Sequence, residues 1–334
     1  MKKIKLIFSS AFSVVLLTCI TLTATAGIGG TALPFLKIDQ GAAASGMGGT
    51  SAAIARGSMS GYWNPAGYGY VREKEISFTH MTYFESINYE SVAYVKPLNL
   101  GFCKTIGLVD QSLDEKNIRS ALGFYVGYLN YGDMEKTLET SGGDYDTANN
   151  LGLAYTAHDM VVGLGYGEYI KSLLMSYGVS LKMLTQAIDG ETLNSFAVDA
   201  GAFFIVPGER RVTIGLNLQN VGMTLGTDPL PMNAKAGFVY KEKRWSFGAD
   251  TNYVIDDEIA RFNVGGEYFL SKAFSVRAGF KSGYDLGSFT AGFGYKGSTE
   301  DTKTKKIGYL IDYAFIPAGD LGATHQVSVG IKFQ

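Results

Sequence analysis

Three histidines, two glycine strings and a single cysteine beyond the N-terminal region are the residues of this 334-residue chain whose types could do chemistry. A serine-type hydrolase needs a histidine within reach of its nucleophile, because the imidazole must take the proton that the hydroxyl loses. No recognisable nucleophile motif surrounds His80, His158 or His325. His80 and His325 lie near the first and last strand-like segments, so closure of a barrel would bring them towards one rim. A metal site there lacks a third ligand. The strings Gly163 to Gly167 and Gly46 to Gly49 superficially resemble phosphate loops, but neither sits in a strand-turn-helix unit with Walker or dinucleotide spacing. The residues therefore point to no enzyme, no metal and no cofactor.

What the chain does contain is strand patterning. Its last eight residues, Val327 to Gln334, alternate apolar with small or polar side chains, with Phe333 one residue from the end. Phe289, Ala291, Phe293 and Tyr295 alternate with Thr290, Gly292 and Gly294, and Ile307, Tyr309, Ile311 and Tyr313 alternate in the same way. A strand with lipid on one face and a polar lumen on the other must read like this, because successive side chains point to opposite sides. A secreted soluble sandwich also alternates. With 21 Tyr and 20 Phe, however, the apolar face is too aromatic for a sandwich of this length to leave in water.

The N-terminus indicates export. Lys2, Lys3 and Lys5 precede an apolar run from Leu6 to about Leu22, and Ala24-Thr25-Ala26 offers a small-residue cleavage site before Gly27. Residues 1–26 are thus expected to be a cleaved signal peptide. Cys19 opens a lipoprotein alternative, but Thr18 precedes it where such sites usually carry Gly, Ala or Ser. The run is short and interrupted by serines for a membrane anchor, and nothing else resembles a spanning helix, so a membrane location requires a closed barrel. Cleavage leaves 26 basic against 31 acidic residues, which gives no electrostatic case for nucleic acid. It also leaves Cys103 alone, without a disulfide partner.

Fourteen segments of strand length follow, near 75–83, 87–97, 119–132, 158–169, 173–187, 193–205, 210–220, 232–241, 244–255, 259–270, 273–281, 287–296, 306–315 and 324–333. An even number suits a bacterial single-chain barrel, so residues 74–334 are expected to form an all-β, transmembrane antiparallel barrel. Residues 133–150 and 221–230 read as long external loops; 207–209, 241–243 and 271–272 read as tight turns at the other rim. Residues 99–118 and 297–305 are long where short turns are expected, and 100–110 leaves room for a further strand.

Residues 27–73 are different: dense in Gly, Ala and Ser, without sustained alternation. They contain Phe35 to Ile38, Gly41 to Gly49, and Trp63-Asn64-Pro65-Ala66-Gly67. In these motifs the chain resembles the PorV/PorQ family of outer-membrane proteins, relatives of the FadL hydrophobic-compound transporters. The resemblance continues through residues 129–135, 196–202, 218–222, 312–315 and 319–322. It implies that residues 27–73 form a plug or hatch in which Trp63 to Gly67 is a landmark. On its own, the Asn-Pro-Ala element reads equally as an ordinary turn before the first strand, since proline fixes its φ and biases Asn64 away from helix.

Strand parity places Asp199, Asp250, Arg261, Glu267, Arg277 and Asp312 on the lumen side. The simplest reading is that these charges pair with one another and with segment residues such as Arg56, because buried unpaired charge is costly. The functional alternative is a polar passage or docking surface. The inward glycines Gly163, Gly165 and Gly167 imply room for segment backbone or an aromatic neighbour. Likeness to PorV implies an accessory of type IX-like protein secretion, with exported proteins or secretion components as partners. Likeness to FadL implies passage of hydrophobic small molecules. Both imply outer-membrane lipid around the barrel, and a purely structural or adhesive barrel is a third class. Mass spectrometry of the protein recovered from the outer-membrane fraction should find Gly27 as its first residue. An acylated Cys19 would substitute the lipoprotein reading.

Overall fold

The period-two alternation folds into one closed sheet. The computed structural model describes residues 30–83, 87–98, 101–102, 118–136, 138–139, 145–146, 154–284, 289–300 and 306–334. The expected signal peptide with Cys19, the region around Cys103 and the centre of the 133–150 segment lie outside the described residues. The first strands are β1 (Lys74–Thr82), β2 (Asn88–Leu98) and β3 (Ile118–Glu135), and β4 (Leu138–Glu139) with β5 (Tyr145–Asp146) makes a separate two-stranded ribbon. There follow β6 (Ala154–Ile170), β7 (Met175–Ile188), β8 (Glu191–Ile205), β9 (Val212–Gly222), β10 (Asn233–Lys241) and β11 (Trp245–Val254). The sheet ends with β12 (Ile259–Phe269), β13 (Phe274–Ser282), β14 (Phe289–Glu300), β15 (Lys306–Pro317) and β16 (Ala323–Phe333).

Apart from the ribbon, each strand pairs antiparallel with its sequence neighbours, and β16 pairs with β1 from Lys74↔Phe333 to Thr82↔His325. Fourteen strands therefore close without a free edge, which satisfies the backbone donors and acceptors that hydrocarbon could not. No described helix is long and apolar enough to cross a membrane. All fourteen expected strands are present, with ends shifted by a few residues. One expectation changes: 297–305 is not a long loop, because β14 continues to Glu300 and pairs there with Lys306, leaving five residues between the strands. The expectation of a further strand in 100–110 lies almost entirely outside the described residues.

The two faces separate as parity requires. Phe78, Leu164, Leu181, Leu216, Phe293 and Val329 are among the large apolar side chains exposed on the outer wall. Thr79, Ser180, Asn217, Thr290 and Gln326, one position away from such residues, are buried inside. Both loops read as external lie at the rim opposite the ends of β1 and β16 that carry Lys74 and Phe333, hereafter the terminal rim.

Residues 30–73 form no strand. They consist of short helical turns, Pro34–Lys37, Ala42–Ser45, Ser60–Trp63 and Pro65–Tyr70, joined by irregular chain, and most of their side chains are buried. Leu33, Phe35, Tyr62 and Trp63 make one apolar cluster with the inward-facing Met81, Tyr89, Tyr125 and Phe203 of the barrel. The core of the molecule is therefore the contact between this segment and the inner wall.

A charge on the outer wall tests this arrangement. Phe293→Arg should cost about 2–4 kcal/mol near the bilayer midplane, measured by denaturant titration of folding into vesicles, whereas Phe293→Leu should cost less than about 1.5 kcal/mol. Equal values for the two variants would contradict a lipid-facing position.

Candidate functional site: the N-terminal segment and the inner wall

Glycines set the geometry of the lumen. Across much of the wall they stand opposite one another in neighbouring strands: Gly123↔Gly165, Gly167↔Gly178↔Gly201, Gly215↔Gly237 and Gly248↔Gly265↔Gly279. A methyl group at most of these positions would overlap the segment. At Gly215 it would meet the Ala52 carbonyl, at Gly265 the Met47 carbonyl, at Gly279 the Gly48 amide and at Gly178 the Pro65 carbonyl. At Gly201 it would strike the Asn64 side chain, and at Gly123 the Tyr68 ring. The belt thus admits backbone to a distance that no other residue type allows. Of the three glycines singled out by parity, Gly165 lies under Tyr68 and Gly167 under the Pro65 carbonyl of the segment, while Gly163 makes room for the wall's own Tyr125.

Polar side chains between the glycines hold the segment's backbone. Asn217 donates to the Trp63 carbonyl (2.5 Å) and Gln219 to the Tyr62 carbonyl (2.7 Å). Asp250 accepts from the Ser51 and Ala52 amides at 2.5 and 2.6 Å. Asn263 donates to the Gly48 carbonyl, Ser176 to that of Ala66 (2.6 Å), and Thr290 accepts from the Gly48 amide (2.9 Å). An irregular segment has no ladder to satisfy its peptide groups, so these wall residues take that part.

Trp63 to Gly67 lies against the glycines Gly167, Gly178 and Gly201. Asn64 precedes the Pro65–Tyr70 3₁₀ turn, its Oδ1 accepting from the Ala66 amide, while its Nδ2 donates to Ala52 (2.9 Å) and to Leu216 on β9 (3.1 Å). Trp63 donates from Nε1 to the Gln40 carbonyl (2.7 Å) and lies under the Lys235 ammonium, 4.9 Å from the ring centroid. Gly67 abuts the Ala55 carbonyl, where a side chain would not fit. Locally the element is the ordinary turn that proline chemistry predicts, and the same residues bridge segment and wall.

The six lumen positions do not form one constellation. Arg277 is paired with Glu267 at 2.7 Å and with Asp312 at 2.5 Å. Its reach from β13 to β15 crosses β14 at Gly294, where a methyl group would lie 2.8 Å from both the guanidinium and the Asp312 carboxylate. Asp199 is completely buried and pairs with Lys182 at 2.6 Å; a register shift at this point of β8 lets it also accept from the Asn220 amide (2.8 Å). Asp250 serves the segment, and Arg261 stacks on Tyr284 at 4.8 Å. Arg56 does not pair with these charges: its guanidinium stacks on the Tyr70 ring at 4.6 Å, and burial lowers its pKa from the ordinary value. Burial also pushes Tyr70 up to about 12, so its phenol stays protonated.

Beyond the six positions of the sequence reading, the lumen also holds Lys182, Asn220, Lys235 and Lys281. The signal for Lys182 was present: it sits between Leu181 and Met183, both exposed on the outer wall, so it must point inward. Asp39 of the segment pairs with Lys281 at 2.7 Å, and Lys37 with Asp257 at 2.5 Å. The histidines go separate ways. His80 pairs with Glu90 (2.6 Å) and His325 bonds Tyr313 (2.8 Å), and no cluster of metal-ligating residues exists among the described residues.

Among the described residues, two cavities beside the segment are bounded by β1, β15 and β16 and, across from them, by residues of β12 and β13. One, of about 260 Å³, lies towards the rim opposite the termini and is lined by Pro34, Ile38, Met81, Tyr83, Arg261, Lys281, Tyr284 and Ile316 among others. The second, of about 250 Å³, lies towards the terminal rim and contains Glu75, Glu267, Arg277, Asp312 and Lys332.

No family model and no curated relative matches the chain. Solved structures do. The toluene transporter TbuX of Ralstonia pickettii superposes with a TM-score of 0.54 at 15% identity, covering 88% of this chain and 97% of that one. The P. putida toluene transporter TodX gives 0.51 at 11% identity over 92% and 97%. A TodX channel variant lacking S2 and S3, described as a monoaromatic hydrocarbon channel, gives 0.52 at 12% over 88% and 98%. The chain thus shares the barrel fold of these transporters, and none of the three is a PorV/PorQ protein.

Loosening the seat should free the segment before it unfolds the wall. Asn64→Ala strips three backbone groups of their partner and should cost about 1–3 kcal/mol. Gly215→Val should expel the chain around Ala52. Hydrogen exchange across residues 30–73 should accelerate in both variants while the barrel strands and heat-modifiable gel mobility stay unchanged.

Proposed function

We propose that this protein is an outer-membrane barrel that passes hydrophobic small molecules, with residues 27–73 as its plug. The observation that carries the reading is the pairing of a FadL-type barrel, the fold of the toluene transporters TbuX and TodX, with an N-terminal segment filling the lumen. The cavity towards the rim opposite the termini is the entry site in this reading. Its Met81, Ile38, Ile316, Tyr83 and Tyr284 offer apolar and aromatic surface, and its volume of about 260 Å³ suits a small molecule rather than a polypeptide. Inside the lumen the plug is held by hydrogen bonds and packing alone, so local rearrangement of the segment, rather than unfolding of the barrel, would open the way.

This reading takes precedence over an accessory role in protein secretion, which rests on sequence likeness alone. It also places the chain among transport proteins rather than enzymes, in keeping with neighbours that are channels.

Uptake of a labelled monoaromatic hydrocarbon by cells producing the protein should exceed that of cells lacking it several-fold. Deleting residues 27–60 should leave a folded barrel that leaks small solutes in a liposome-swelling assay. Unchanged hydrocarbon uptake together with lost capture of exported proteins would replace passage by the secretion role.

A further inference from the structure

The glycine belt is incomplete. On β15, β16 and β1 no inward glycine meets the segment: Gly330 faces Leu310, and Gly308 faces Lys332. The wall there carries Thr79, Asp312, Gln326 and Ser328 instead, and both cavities lie along it. The cavities are separated by a single layer of side chains. Gln326 lines one and Ser328 the other; Met81 lines one and Thr79 the other. These are positions i and i+2 on one strand face, about 7 Å apart. Asp39 and Gln40 mark the same boundary on the segment.

The layer is held by Gln326. Its Nε2 donates to the Asp39 carbonyl (2.8 Å) and contacts the Met81 sulfur (3.0 Å), and its Oε1 accepts from the Ser45 hydroxyl (2.9 Å). Just below, Ser328 accepts from the Ala42 amide (2.9 Å) and bonds Thr79 (2.8 Å). Every one of these groups can exchange its partner for water. Next to them, the completely buried Gln40 amide lacks a well-formed hydrogen bond at either polar atom, so this boundary is the less firmly held part of the segment. In the cavity towards the terminal rim Glu75 pairs with Lys332 at 3.2 Å and Arg277 with Glu267 and Asp312, while Arg56 stacks on Tyr70. A hydrated solute loses little on entering such a chamber, whereas a bare hydrocarbon must displace bound polar groups.

We propose that the closure seam β15–β16–β1, which continues from the cavity that admits hydrophobic cargo in the reading above, is a route by which small uncharged hydrophilic solutes cross the barrel, and that Gln326 is its latch. Breaking the Gln326 bonds to Asp39 and Ser45 joins the two cavities while the rest of the segment stays seated on the glycine belt. Leakage through the seam therefore requires no displacement of the segment from β6 to β14.

Full-length protein in liposomes would be assayed by osmotic swelling in arabinose. Wild type should swell at a low rate, and Gln326→Ala and Ser45→Ala should each raise it several-fold. Thr185→Ala, which removes a lumen hydroxyl bonded to Asn194 away from the seam, should not. Ser45→Ala leaves every strand residue intact and carries the test if Gln326→Ala fails to fold by heat-modifiable mobility. In a Cys103→Ser background, a bulky thiol reagent applied to Ser328→Cys combined with Ser45→Ala should abolish the gain. The proposal is overturned if both latch variants fold and swell like wild type, or if the gain survives modification at position 328.

Discussion

The close approach of two backbones is the contact on which the rest of the structure depends. A β-wall normally presents side chains to whatever fills it and holds a second chain several ångströms away. Here paired glycines on β3, β6–β10 and β11–β13 remove that layer, and the irregular segment sits against the wall itself. The conformational cost of so many strand glycines is real, since each has more freedom to lose on folding than a residue with a side chain. The offset comes from burying Leu33, Phe35, Tyr62 and Trp63 against inward-facing aromatics and from wall side chains that satisfy the segment's peptide groups.

The charges of the lumen follow from the same arrangement. Most are committed: Lys182 to Asp199, Lys281 to Asp39, Lys37 to Asp257, and Arg277 to two carboxylates. Arg277 reaches Asp312 only because β14 has a glycine between them. Removing one partner of a buried pair leaves the other without compensation, which costs more than the pair contributes. Such pairs therefore specify which strand lies next to which part of the segment more than they add to stability. The cations outside this scheme, Arg56, Lys235 and Arg261, lie over aromatic rings, which supply a partner of lower directionality.

The same fold is reached in proteins with 11–15% identity to this chain. That is understandable when the outer wall needs only apolar character and the sheet only its own hydrogen bonds. Constraints on individual residues are concentrated inside, where segment and wall must match. Among the described residues the fit between segment and wall is uneven, and it leaves the two cavities beside the closure seam.

The sequence by itself determined the closed sheet. Alternation in period two is a local property, so Phe293 outward and Asp312 inward could be read without knowing any neighbour, and so could all fourteen strands to within a few residues. Parity also placed Asp199, Asp250, Arg261, Glu267 and Arg277 on the lumen side. What it could not supply was partnership. That Gly167 stands beside Gly178 and Gly201, that Asn64 bonds Leu216, or that Arg56 meets Tyr70 instead of a carboxylate depends on the register of strands and the path of a segment without periodicity. In a chain with 43 glycines, parity marks Gly165 and Gly167 as inward, but nothing local pairs them with the other glycines of the belt. Only the tertiary structure decided them, because hydrogen-bond register brings together residues far apart in the chain, and side-chain type records the face a residue occupies but not the neighbour it meets there.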